Sequence, residues 1–307
     1  MKHILKFSIV PLCAVQTCLL GMPALAQSGM ETLEDFDYWQ NLWQRQYQAG
    51  EAEKALAACK QAIALEPKDD TIWADYSAAL LTLGQYPETL AATDRLLSFN
   101  EESSSAMAYQ CLAYQGLNMP EAALDACNAA LQTDSYWGNL SPTLVWRTQG
   151  QLLDQLNQPE QALIAYELGL GLEPADALTL TARCQTLVDS GEYDYGIEAC
   201  SAALEGNDNW LSESPALALT YKGQALTALR QYDEAIAVYD QAIALEPENP
   251  EHWLQQGWLL ARTDNFTGAV LAYTRAVELR PESSRGLVGL CDVFNQQAQY
   301  EQALPAC

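Results

Sequence analysis

A period of 34 residues runs through most of this chain of 307 residues and constrains its fold more than any other feature. Counted from Ala216, the twentieth position of successive units holds Ala55, Thr89, Ala123, Ala162, Gly196, Ala235, Ala269 and Ala303, all small. The fourth holds a large apolar residue each time: Trp39, Trp73, Met107, Trp146, Leu180, Leu219, Trp253 and Leu287. A closing proline returns as Pro67, Pro174, Pro247 and Pro281. Residues 216–249 read locally as two short amphipathic helices, over 219–229 and 232–245, with a polar turn at Arg230-Gln231. Proline lacks the amide donor and clashes with the preceding turn, so the second helix is expected to stop before Pro247. Gly223, Ala235 and Ala242 leave room for two antiparallel helix backbones to approach closely.

This pattern resembles the tetratricopeptide repeat family, in which an aromatic, a glycine, an alanine, a second aromatic and a closing proline mark a helix-turn-helix unit of this length. The resemblance covers roughly residues 36–307. It implies an all-α fold, a right-handed superhelical α-solenoid of about eight units: 36–69, 70–103, 104–137, 143–176, 177–210, 216–249, 250–283 and a partial 284–307. Two interruptions, 138–142 and 211–215, break the register. Trp137 and Pro142 recur as Trp210 and Pro215, each 73 residues later, so units three and four look duplicated as units five and six. Both tryptophans are expected to pack between repeats, where an indole buries large apolar area.

Six of the nine cysteines form three pairs of one spacing: Cys111 with Cys127, Cys184 with Cys200, and Cys291 with Cys307. Each pair occupies the eighth and twenty-fourth positions of its unit. Where the eighth position is Gly150, Gly223 or Gly257, the twenty-fourth is Tyr166, Tyr239 or Tyr273. Two sites that switch together are expected to touch, a small residue making room for a large one. In an oxidising compartment the pairs would be disulfides tying the two helices of a repeat together, each worth about 3 kcal/mol by loop-closure entropy. The alternative is reduced small side chains in a tight contact. Cys59 faces Trp43 at its eighth position and is expected to stay a buried free thiol.

Residues 1–26 carry Lys2 and Lys6, an uncharged apolar stretch and Ala24-Leu25-Ala26, the layout of a cleavable secretory signal cut after Ala26. A retained membrane anchor is the alternative, and the stretch is short for a span. Neither Cys13 nor Cys18 follows the small-residue box of a lipoprotein. Residues 27–35 read as a polar leader. The expected product is exported, periplasmic or secreted. The formal net charge of -25 becomes more negative once Lys2 and Lys6 are removed. Such a surface repels nucleic acid and anionic membrane and suits neutral to basic partners, or serves solubility alone.

The resemblance implies a concave face lined by first helices, at the second, fifth, sixth, ninth, twelfth and thirteenth positions. Here these include Gln40, Asn41, Gln44, Tyr109, Arg147, Gln151, Gln185, Tyr221, Gln224, Gln255, Trp258 and Arg262. Amides, aromatics and a few arginines suit extended or helical peptide segments. Some relatives carry a lysine, asparagine and arginine clamp for a terminal carboxylate; the matching positions are Gln40, Gln44, Asp75, Ser105 and Tyr109, so that clamp is absent.

Little in the sequence points to chemistry. After signal cleavage one histidine remains, His252, expected to be solvated beside the Pro250 turn, so no nucleophile-histidine set can form. Gly169-Leu170-Gly171 ends a helix and lacks the strand a nucleotide loop needs. No metal and no cofactor is expected. Asn139-Leu140-Ser141 and Asn265-Phe266-Thr267 fit a glycosylation pattern, the first weakened by Pro142. The chain is therefore read as a non-catalytic protein-protein interaction scaffold. One alternative is the binding arm of a longer protein or enzyme, since the eighth unit is cut short at Cys307, inside its second helix, and offers an uncapped surface for self-association. A weaker one is a thiol-disulfide exchange protein, which would need cysteines with a lowered pKa.

Overall fold

The computed structural model describes residues 35–133, 136–207, 210, 214–304 and 307. The expected signal at 1–26 and most of the polar leader lie outside them; Asp35, assigned above to that leader, is the N-cap of the first helix. Sixteen α-helices and no strand occur among the described residues. They follow one another as antiparallel pairs: α1 (Phe36–Gln48) with α2 (Ala52–Leu65), α3 (Asp70–Thr82) with α4 (Tyr86–Leu97), α5 (Ser104–Gly116) with α6 (Pro120–Thr133), and α7 (Pro142–Gln155) with α8 (Pro159–Leu172). The array continues through α9 (Ala177–Asp189) with α10 (Tyr193–Glu205), α11 (Ala216–Ala228) with α12 (Tyr232–Leu245), α13 (Pro250–Arg262) with α14 (Phe266–Leu279), and α15 (Ser284–Gln296) with the short α16 (Tyr300–Ala303). Cys307 lies beyond the bounds of α16, not inside it, and its amide donates to the Ala303 carbonyl at 3.0 Å.

Local chemistry sets the helix ends. First helices open on side chains that accept from a free amide of the first turn: Asp69 from Ile72, Ser103 from Ala106, Asp176 from Thr179 and Asn249 from Glu251. They close with a residue in the left-handed region at the fifteenth position of all eight units. Glycine fills it at Gly50, Gly84 and Gly191; Asn118, Asn157, Arg230, Asp264 and Ala298 hold φ between 56° and 61°. The next amide then reaches back to the carbonyl five residues before, as Gln231 does to Leu226 at 2.9 Å, satisfying an otherwise orphaned acceptor.

Packing between the helices of a pair follows the eighth and twenty-fourth positions. A Cβ added to Gly223 would stand 2.7 Å from the Tyr239 ring, and one on Gly257 3.0 Å from the Tyr273 ring. Where cysteines replace that pair, Cys111 and Cys127 have Cα atoms 5.1 Å apart, as do Cys184 and Cys200, and Cys291 and Cys307 stand at 5.2 Å. Successive units are joined through position four: the indole of Trp73 donates to the Pro67 carbonyl at 3.0 Å and that of Trp253 to the Pro247 carbonyl at 2.9 Å. Trp137 packs against the cluster containing Ala108 and Val145, and Trp210 against Leu180, Ala203 and Ala218. Gly169 lets α8 approach α7, its Cβ position 3.1 Å from the Trp146 Cβ.

Candidate functional site: the concave face

Consecutive first helices touch each other, α3 with α5, α7 with α9, α9 with α11 and α13 with α15. Among the described residues no successive second helices meet as closely, so the first helices lie on the inside of the curve. The face they form divides into a covered stretch and two open ones.

The covered stretch lies over units two and three. The insertion at 138–142 does not loop away from the array but folds back onto it. Gly138 takes φ +61°, and a Cβ on it would stand 3.7 Å from the Ser105 Cβ and 3.9 Å from the Ala74 Cβ. Asn139 Nδ2 donates to Asp75 Oδ1 at 2.8 Å. Leu140 packs against the cluster of Ala74, Ala78, Leu96, Ala106 and Tyr109. Tyr109, expected to line an accessible groove, is 1% exposed, because the inserted segment and the neighbouring first helix enclose it. Burial pushes the Asp75 carboxyl up to about 7; Asp69 adds to the rise and the Asn139 bond opposes it. The residues 73 positions after Asp75, Ser105 and Tyr109, namely Thr148 in unit four and Leu178 and Ala182 in unit five, are also buried.

One open stretch runs along units four and five. Gln151 and Gln185 are brought together at the rim of a cleft of about 480 Å³, with Asp154, Gln155 and Asp189 beside them. The Asp154 carboxylate accepts from the Tyr166 hydroxyl at 2.8 Å and the Thr186 hydroxyl at 2.6 Å, while burial raises its pKa. The acidic members were not singled out from the sequence, although Asp154 and Asp189 occupy the twelfth and thirteenth positions of their units, where a face-by-face count would have found them. Arg147, expected beside Gln151, is spoken for: it pairs with Asp176 at 2.9 Å, both side chains nearly buried.

The second open stretch spans units six to eight. Tyr221, Gln224 and Gln255 are half-buried, and Gln255 donates to the Glu251 carboxylate at 2.7 Å. Trp258 is 37% exposed, held edge-on by Tyr232 and capped by the Arg262 guanidinium 4.8 Å from its ring. Between α13 and α15 a cleft of about 390 Å³ opens at Trp258 and Arg262, closed on the far side by Gly289 and Asp292. In unit one, Asn41 and Gln44 are exposed and Gln40 half-buried, with the Asn41 amide bound to the Asp37 carbonyl.

His252 corrects another expectation. It is 2% exposed, its Nε2 3.0 Å from the Thr220 hydroxyl, and burial lowers its pKa. The ring fills the contact between α11 and α13 instead of facing water. Cys59 is the free, buried cysteine of the described residues, its thiol pushed far up by burial.

The comparisons with known proteins agree on the architecture. Profiles described as tetratricopeptide repeat match residues 46–109, 146–176, 181–251 and 220–284. The human mitochondrial import receptor subunit TOM70 is 30% identical over 117 residues, covering 38% of this chain and 19% of the receptor; its rat counterpart is 29% identical over the same length. The chain thus spans about a fifth of the length of these curated relatives. Among solved structures, a chain of the APC/C hetero-tetramer Cut9-Hcn1 superposes with a TM-score of 0.62 at 15% identity, covering 84% of this chain and 49% of that one. Pseudomonas aeruginosa PilF also gives 0.62, at 16% identity, covering 76% of this chain and 99% of that one. Identities this low carry the fold alone. The 34-residue helix pairs, their shared contact positions and the matching profiles lead to one statement: this chain is built from tetratricopeptide repeats.

Proposed function

We propose that this chain is a non-catalytic protein-protein interaction scaffold whose open concave stretches hold extended or helical segments of a neutral to basic partner. The observation that carries the reading is Trp258, a large aromatic left 37% exposed beside a cleft and flanked by hydrogen-bonding amides and Arg262. Exposed aromatics with polar neighbours are the usual anchors of peptide recognition. Repeat arrays of this kind typically serve such roles, and two of the similar proteins are by name a receptor subunit and a member of a hetero-tetramer.

The same reading places the protein outside the cytoplasm, with Cys111–Cys127, Cys184–Cys200 and Cys291–Cys307 oxidised. The leader sequence supports export, and the Cα separations fall in the range a disulfide requires. Cys111, Cys127, Cys184 and Cys200 are 0% exposed, which favours a structural role over thiol exchange.

Photo-crosslinking residues placed singly at Gln224, Gln255 and Trp258, with Gln241 on the convex side as control, test the scaffold. Crosslinks to one partner from the concave positions and none from Gln241 are expected. Equal labelling from both faces would overturn it. Alkylation of the exported protein unfolded in urea without reductant should modify none of the six paired cysteines; their modification would remove the disulfide assignment.

A further inference from the structure

Asp75 is a carboxylate 4% exposed that makes no ion pair among the described residues. The titratable groups facing it are Asp69 of its own helix cap, the Cys59 thiol of α2 and the Tyr109 hydroxyl of α5, none of them a cation. A buried carboxylate without a counter-ion is costly, and its two oxygens can accept about four hydrogen bonds. Asn139 supplies one, from a neutral amide. The adjoining Tyr109 hydroxyl is buried with no hydrogen-bond partner among the described residues. Two neighbouring buried polar groups therefore keep unused capacity where the insertion touches the concave face.

The insertion itself is built to be replaceable. It is a turn, closed by the Leu140 amide on the Trp137 carbonyl at 3.1 Å, with Gly138 in the left-handed region. Asn139 is exposed apart from its contact with Asp75, while Leu140 seats an aliphatic side chain on α3 and α5. The segment lies across first helices at the positions a bound peptide would use.

We propose that the concave face of units two and three is a second binding site, for an extended peptide carrying a lysine or arginine followed by an aliphatic residue, and that the insertion occupies it as an internal stand-in. Asn139 holds the place of the cation against Asp75, and Leu140 that of the aliphatic residue. An ammonium or guanidinium displacing the Asn139 amide brings the missing charge and further donors for Asp75. The acidic surface of the whole chain draws such a peptide in. This inference rests on the reading of the concave face as a binding surface, but concerns a stretch separate from Trp258.

The test uses the full exported chain and a fluorescein-labelled peptide, Ser-Gly-Lys-Leu-Ser, with glutamine and glutamate analogues in place of the lysine. Asn139→Ala releases the stand-in, and the lysine peptide should then bind at least tenfold more tightly than to the unaltered protein. It should also exceed the glutamate peptide at least tenfold, and adding Asp75→Asn should abolish the gain. Equal binding with and without Asn139→Ala, binding that survives Asp75→Asn, or a glutamate peptide that binds as well would each overturn the proposal. Should Asn139→Ala fail to fold, hydrogen exchange on the unaltered protein decides: saturating lysine peptide must deprotect the Leu140 amide, and unchanged protection refutes displacement. Partner crosslinks at Trp258 without any of these effects would sink this inference and leave the scaffold reading intact. Lysine-peptide binding governed by Asp75, without crosslinks at Trp258, would do the reverse.

Discussion

The side-chain amide of Asn139 donates to the carboxylate of Asp75, a residue 64 positions earlier, at 2.8 Å. That one bond marks where the array departs from its own repetition. A five-residue insertion, which the period treats as an interruption, lies on the inner face of the two preceding repeats and encloses Asp75 and Tyr109.

The buried Asp75 makes stability depend on pH. Its folded-state pKa of about 7 lies above the model-peptide value of 3.8, so the folded protein holds a proton that the unfolded chain has released. The contribution is fully present below about pH 4 and lost as pH rises through 7. Asp75→Asn removes this dependence, and its stability advantage over the unaltered protein should grow by roughly 2–4 kcal/mol between pH 4.5 and 7.5. Urea midpoints at the two pH values measure it; parallel shifts in both proteins would contradict the assignment.

Insertion placement is open to a covalent check. The Cβ separation available to residues 105 and 138, 3.7 Å, matches that of a disulfide. Ser105→Cys combined with Gly138→Cys should cross-link under mild oxidation, giving a faster-migrating species without reductant. A pair that stays fully alkylatable would place the insertion elsewhere.

Left-handed turn residues offer a route to higher stability. Ala298 at φ +56° and Arg230 at φ +61° carry a Cβ where glycine has none. Ala298→Gly and Arg230→Gly should each stabilise by about 1 kcal/mol, and Gly191→Ala should destabilise by a similar amount. Denaturation midpoints moving the other way would show that these side chains make compensating contacts.

Close approach at position eight predicts an inverted glycine effect. Gly223→Ala in a helix interior would normally stabilise by about 1 kcal/mol. Here the added methyl meets the Tyr239 ring, so a net loss of about 1–3 kcal/mol is expected, relieved by a smaller residue at 239. A gain in thermal midpoint for Gly223→Ala alone would mean that the ring shifts freely.

Much of the fold was legible because its causes are local and repeat. Helix ends before Pro247, small residues at position twenty and the coupled switch at positions eight and twenty-four all express contacts inside one unit, which the period displays repeatedly along the chain. The left-handed position fifteen was harder to see, since only three of eight residues there are glycine and the backbone bond that demands the conformation leaves no consistent side chain. Among the expected face positions, Trp258 and Gln185 are exposed and Gln255 is half-buried, whereas Tyr109 is enclosed; His252, expected in water, is buried as well.

The sequence by itself determined the repeat, its helices and the pairing of contact positions, because each rests on residues within about thirty positions of one another. Only the tertiary structure decided which part of the concave face is open. Over units two and three that choice depends on aperiodic contacts, above all Asn139 with Asp75, between an insertion and a helix two units before it. A short polar loop has no hydrophobic pattern to announce its resting place. Its position follows from a buried carboxylate that needs a donor and an aliphatic side chain that needs cover, and both needs exist only once α3 and α5 stand side by side.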